Sequence, residues 1–303
     1  MEEFVPRIKS LGRGSIARLF AAKAYFSEGD HPRAIAECRA ALHLDPTLDI
    51  AHLLLAWIYA AEGRYSPAIE ACQAALDSNP RLAQARLLRG LVYSEQGRFA
   101  EAAAECRAAL DCDPQSPRTW LTLGEMHLKL KELDQAAAAL QEALRLDPQL
   151  TMARYKLVTV YQEQGRSSEA LAEVETALKM DPGAARSHLL LGDLHFDRAD
   201  YAGALAEYQT AAELSPVLAE ARYHMGEARR KLGQPLLAIL EYRRALALNE
   251  KLAPAHLALA RVYEELGRDQ EAAAEHSAAR TLDPQQASAA GTGVSPVPPG
   301  RSS

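Results

Sequence analysis

Four cysteines and nine histidines are the side chains in this sequence best suited to chemistry. A thiolate serves as nucleophile, redox partner or metal ligand, and an imidazole ligates metals or moves protons. Their spacing argues against those uses. Cys38, Cys72 and Cys106 stand 34 residues apart, as one register position in successive copies of a repeat would. Equivalent helices stacked roughly 8–10 Å apart hold such residues beyond disulfide reach, so each reads as a small buried hydrophobe. Free thiols also fit a reducing compartment. His127 and His195 are two repeats apart, while His188 and His195 are about two helical turns apart. No His-x-x-x-His pair occurs, so the histidines read as packing or surface residues rather than metal ligands. Glu37, Glu105, Glu173, Glu207, Glu241 and Glu275 recur at one place and are expected to face solvent. With no glycine-rich phosphate loop and no nucleophile elbow, no catalytic, cofactor or metal residue is nominated. The expectation is a protein that is not an enzyme and needs no cofactor.

The elements that carry these residues follow a clock. Prolines stand at Pro46, Pro80, Pro114, Pro148, Pro182 and Pro216, each 34 from the last, with Glu250 at the next place and Pro284 after it. Gly29, Gly63, Gly97, Gly165, Gly233 and Gly267 keep the same time, with Lys131 and Ala199 at the two remaining places. Two alanine series, from Ala34 to Ala272 and from Ala41 to Ala279, have no exceptions. Such self-similarity marks a repeat architecture. Eight units run through residues 15–48, 49–82, 83–116, 117–150, 151–184, 185–218, 219–252 and 253–286.

Each unit reads as two helices. In the third, Leu87, Leu88, Leu91 and Val92 recur at helical spacing before Gly97, then Ala102, Cys106, Ala109 and Leu110 mark a second stretch that Asp113-Pro114 stops. Neither helix buries its apolar face alone, so neighbours must stack. Before the array, residues 1–14 carry Phe4, Ile8 and Leu11 on one helical face, either as a short lid over the first unit or as a frayed end. After it, 287–303 reads as a disordered Ala/Gly/Pro/Ser tail; its Pro296 to Arg301 stretch has the shape of a polyproline ligand but reads more simply as a flexible end. His276 and Arg280 replace the apolar Val174 and Leu178 of an earlier unit, giving the last unit a polar outer face that caps the stack. The net charge of −6 argues against nucleic acid as partner, no apolar run is long enough to insert in a membrane, and no signal peptide is visible. The expected location is cytoplasmic.

These residues resemble the tetratricopeptide repeat. The fourth unit shows the pattern in Trp120, Leu123, Gly124, Ala136, Ala143 and Pro148, and Tyr25, Tyr59, Tyr93, Tyr161 and Tyr263 fill the tyrosine place. The resemblance covers residues 15–286 and implies an all-α, right-handed α-solenoid of eight helix–turn–helix repeats. Departures are Val158 at a small-residue place, Arg89 at an apolar one, and Lys131 and Ala199 at the turn, where altered local geometry is expected.

The resemblance also assigns the first helix of each unit to an inner, concave wall. The early units then offer Ile16, Leu19, Lys23, Phe26, Ile50, Leu53, Trp57, Leu87 and Leu91, and later ones offer Glu95, Glu125, Tyr155, Glu163, Asp193, Asp197, Tyr223 and Glu227. The wall would be apolar first and mainly acidic after, suited to a protein segment with hydrophobic anchors flanked by Lys or Arg. The clamp with which some family members grip a chaperone's terminal carboxylate is not matched: Leu19, Lys23, Leu53, Trp57, Gln84 and Leu88 stand at its places. The expected function is a non-catalytic scaffold or adaptor, for instance in a bacterial motility, pilus, secretion or polarity complex. The alternatives are a regulatory sensor of a peptide or small GTPase, and the repeat fragment of a larger enzyme. Self-association through the apolar wall is a further expectation.

Overall fold

The computed structural model describes residues 13–282; the lid residues Phe4, Ile8 and Leu11 and the tail 287–303 lie outside them. Sixteen helices follow in pairs: α1 (Arg13–Ser27) with α2 (His31–Leu44), α3 (Asp49–Ala61) with α4 (Tyr65–Ser78), α5 (Ala83–Glu95) with α6 (Phe99–Leu110), and α7 (Pro117–Lys129) with α8 (Leu133–Leu146). Then come α9 (Thr151–Glu163) and α10 (Ser167–Met180), α11 (Ala185–Asp197) and α12 (Tyr201–Leu214), α13 (Ala219–Lys231) and α14 (Pro235–Leu248), and α15 (Ala253–Glu265) and α16 (Asp269–Leu282). The chain divides into two compact units, residues 1–164 with α1–α9 and residues 165–303 with α10–α16.

Local chemistry sets the turns. Within a repeat, the first helix ends where one residue takes a left-handed conformation, as Gly63 does at φ 70°. This lets Arg64 N–H donate to the Tyr59 carbonyl at 2.8 Å and Gly63 N–H to that of Ala60 at 3.0 Å, closing the orphan carbonyls of the helix end. Lys131 and Ala199 do not alter this geometry. They hold φ 61° and 60°, with the same bonds from Glu132 to His127 at 2.9 Å and Asp200 to His195 at 3.0 Å. The packed pair of helices dictates the turn, and the side chain bears a backbone cost of about 1 kcal/mol. Between repeats, an Asp or Asn follows the second helix everywhere but at Ser215, and in most cases its side chain folds onto the backbone two residues on: Asp45 accepts from Thr47 N–H at 3.0 Å and Asn249 from Lys251 N–H at 3.1 Å. The turn therefore survives Glu250 in place of proline.

Small residues set the helix approach. The alanines from Ala34 to Ala272 and from Ala41 to Ala279 are all buried, none more than 3% exposed. A second contact is tuned by size. The buried Cys38, Cys72, Cys106, Leu140, Val174, Tyr208 and Tyr242 occupy one place on the second helices. A Cβ added to Gly124 would lie 2.7 Å from Leu140 Cγ, and one on Gly192 would lie 2.5 Å from the Tyr208 ring. Where the second helix carries a cysteine, alanine is accommodated in the same repeat, as with Ala22 and Ala56, both fully buried. The cysteines are thus packing residues, and burial pushes the thiols of Cys38, Cys72 and Cys106 up to about 12. Protonated thiols of that kind are poor nucleophiles and ligands.

Candidate functional site

In the first unit, α1, α3 and α5 lay their inner faces side by side around a groove of about 730 Å³. Its floor comes from Ile16, Leu19, Phe20, Ile50, Leu53, Leu54, Trp57 and Leu87, with Phe26 and Lys23 at one side and Gln84 beside Leu87. The turn and first residues of α7, Asp113 to Thr119, close the far end. That end is rigidly built. Ser116 caps α7 by accepting from Thr119 N–H at 3.3 Å, Asp113 accepts from Gln115 N–H at 3.2 Å, and Trp120 Nε1–H donates to the Pro114 carbonyl at 3.0 Å.

Eight of the nine residues expected on the apolar wall line this groove; Leu91, one turn beyond Leu87, does not. They are not equally open. Leu19, Ile50 and Leu53 are buried and form the base of the groove, whereas Trp57 is 37% exposed and Phe20 58%. Sequence reasoning missed Phe20, Leu54 and the Asp113–Thr119 end. Phe20 follows Leu19 directly and falls outside the assigned register places, although a bulky aromatic off the core stripe was itself a visible signal.

The acidic positions are less open than expected. In the first unit, Glu95 is exposed at the end of α5, Tyr155 is half-buried, Glu125 faces Lys156 Nζ at 3.5 Å, and Glu163 accepts from Lys131 Nζ at 2.8 Å. In the second unit, Asp193 accepts from the Tyr208 hydroxyl at 2.8 Å and lies 3.5 Å from His224 Nδ1. Burial raises the Asp193 carboxyl, His224 and Tyr208 opposing it in part. Glu227 accepts from the Tyr242 hydroxyl and from Arg230, Tyr223 meets His224 edge to face and lies tilted against Tyr242, and Asp197 is exposed. Most of these acids are thus engaged within the fold.

The repeated glutamates are not a solvated row. Glu37, Glu207, Glu241 and Glu275 pair with Arg18, His188, Arg222 and His256 of their own repeats at 2.9, 2.8, 3.3 and 2.6 Å, and Glu241 is only 3% exposed. Glu105 binds Arg89, which gives that arginine its reason for standing at an apolar place. His188 and His256 point their other ring nitrogen at the carbonyls of Pro182 and Glu250, both at 3.2 Å. His52, Arg86, Trp120 and Arg154 reach the equivalent carbonyls of Pro46, Pro80, Pro114 and Pro148. These six side chains fasten their repeats to the turn before, a role the sequence carried in an N–H donor at each of those places; Arg222, at the same place, binds Glu241. Among the described residues, no group of three or more His, Cys, Asp or Glu is arranged to hold a metal ion. No described helix is long and apolar enough to cross a membrane.

Two sequence models described as tetratricopeptide repeat match this chain, one over residues 9–49, 53–117, 155–219 and 223–287, the other over 93–160. No curated protein matches it. Among solved structures, it is similar to a tetratricopeptide repeat protein from Parabacteroides merdae, with TM-score 0.67 and 17% identity over 83% of this chain and 99% of that one. It is also similar to Pseudomonas aeruginosa pilF, with TM-score 0.61 and 24% identity over 71% of this chain and 97% of that one. A chain of the APC/C hetero-tetramer Cut9-Hcn1 gives TM-score 0.62 and 22% identity over 95% of this chain, which spans only 57% of its length. At these identities the likeness establishes the fold, an all-α repeat solenoid.

Proposed function

The chain belongs to the tetratricopeptide repeat family, and on that premise we propose that it is a non-catalytic scaffold whose first-unit groove holds a segment of another protein. One observation carries the reading: a groove of about 730 Å³, half of whose lining side chains are leucine, isoleucine or aromatic, with Trp57 and Phe20 open to solvent. Apolar surface of that kind is unfavourable in water unless something covers it. Its polar groups, Lys23, Gln84, Asp113 and Arg118, sit among the lining residues and would orient a bound chain rather than supply most of the affinity. The segment that fits carries two or three large apolar anchors. Lys or Arg beyond the Leu87 end would meet Glu95 and Glu125.

The test is to select binders from a displayed random-peptide library on the whole chain and measure them by fluorescence polarisation. Trp57→Ala should weaken groove-bound peptides at least about tenfold, since an aromatic anchor in an interface contributes about 2 kcal/mol or more. Glu125→Lys should weaken the basic ones by a smaller factor. If both variants leave every selected peptide unaffected, the groove is not the binding site. Leu53 is unsuited to this test, because it is only 3% exposed and its truncation would act on stability.

A further inference from the structure

Helix α14 of the second unit carries a surface that its repeat does not need for folding. Ala238, Ile239, Tyr242 and Ala245 face inward and are buried. On the opposite side, Leu236, Leu237 and Leu240 are 69%, 44% and 43% exposed. No other repeat has a leucine at any of those three places, where Pro, Ser, Ala, Asp, Gln, Glu, Arg and Gly stand instead. The same repeat is also the one with positive charge. Residues 219–252 hold seven Lys and Arg against four Asp and Glu, a net +3, while each of the other seven repeats is neutral or negative. Exposed Arg243 and Arg244 follow the leucines on the outer side of α14, and exposed Lys251 lies just beyond the helix. Both guanidinium groups are held in place: Arg243 donates to the Tyr263 hydroxyl at 2.8 Å and Arg244 to Glu241 at 2.8 Å.

We infer that the outer face of α14 docks an acidic, apolar segment of a partner protein, whose large apolar residues cover Leu236, Leu237 and Leu240 while its Asp or Glu residues meet Arg243, Arg244 and Lys251. At about 100° per residue, Leu236, Leu240 and Arg243 fall along one line of the helix. Apolar and cationic groups are therefore separated along the axis, not around it. A helix lying on a bilayer separates them around the axis, so that the leucines sink deeper than the charges. Here, sinking Leu240 would carry Arg243 down with it, and its bond to Tyr263 keeps the guanidinium from reaching outward. A linear protein segment with the same order of chemistry meets no such conflict. This site is separate from the groove and stands or falls independently of it.

The experiment pans the same displayed library on the full chain and asks which peptides are lost on Leu236→Ser/Leu240→Ser but kept on Trp57→Ala. The expected set carries large apolar residues followed by Asp or Glu. Its members should bind at least about tenfold more weakly to the serine variant, a loss of about 1.4 kcal/mol. Arg243→Gln/Arg244→Gln should weaken the same peptides about fivefold at low salt and less at high salt, as a charge contact requires. Far-UV circular dichroism and a urea midpoint on each variant establish that the fold is retained; should the serine variant unfold, the glutamine variant decides. The inference is overturned if no peptide separates the two surfaces, or if the separating peptides have no acidic bias. It is equally overturned if the chain sediments with phosphatidylcholine–phosphatidylglycerol vesicles in a Leu236-dependent way while no peptide binds.

Discussion

The two units use the same backbone with different fillings, and the difference decides which parts of the inner wall remain available. In the first unit, the second helices α2, α4 and α6 pack through Cys38, Cys72 and Cys106, short side chains that end inside the core. In the second, α12 and α14 use Tyr208 and Tyr242, which lie flat across Gly192 and Gly226 and emerge at the inner face. There their hydroxyls bind Asp193 and Glu227. At the corresponding place of the three repeats with a cysteine stand Lys23, Trp57 and Leu91, where the second helix brings a thiol instead of a tyrosine. At Asp193 and Glu227, one buried tyrosine per repeat thus commits the wall to internal bonds.

The size relation is the sharpest place to break that comparison. A Cβ on Gly226 would stand 2.4 Å from Tyr242 Cε1, whereas one on Gly90 would meet Cys106 Sγ at 3.4 Å and the Ala102 carbonyl at 3.1 Å. Gly226→Ala should therefore cost about 3 kcal/mol in urea unfolding, and Gly90→Ala close to nothing, its crowding offset by the gain of about 1 kcal/mol from alanine in a helix. Combining Tyr242→Cys with Gly226→Ala should cost less than the sum of the two single changes, because the pair then matches Ala56 with Cys72. Strict additivity of the two changes would refute the coupling.

A second test concerns the internal bond itself. Burial holds the Asp193 carboxyl above the ordinary carboxylate range. An acid whose folded pKa is raised costs stability as pH rises through the ordinary range to the folded value, and costs nothing below it. Asp193→Asn, which keeps an oxygen for Tyr208, should stabilise the chain near pH 7 and leave it unchanged near pH 3. A variant that is less stable near pH 7 would mean that the His224 and Tyr208 contacts outweigh burial.

The smallest effect lies at the turns, one exception in each unit. Lys131→Gly and Ala199→Gly should each raise stability by roughly 0.5–1 kcal/mol, by removing a side chain from a left-handed backbone. The ion pair lost with Lys131 is exposed on the lysine side and subtracts little. Equal melting temperatures for variant and parent would show that these turns hold no strain.

Much of this was legible from the sequence because the period fixes the helical register. Once Gly63 and Pro80 mark the turns, which face of α3 and α4 is buried follows from spacing. What stayed hidden depends on pairs of residues from different helices. That Asp193 is engaged while Trp57 is open cannot be read from either residue; it follows from Tyr208 and Cys72, each fifteen residues further along. The groove end at Asp113–Thr119 was missed because a turn supplies it, and the outer leucines of α14 because they depart from the repeat instead of obeying it.

The N–H donors that reach back over six of the junctions have a consequence for how such a chain can grow. The receiving group is a backbone carbonyl, which Glu250 supplies as well as proline does. A duplicated stretch of gene would therefore bring its own fastener and find a matching socket on whatever precedes it. Length can change by whole units without any compensating substitution at the joint, leaving later mutation free to work on the exposed residues alone.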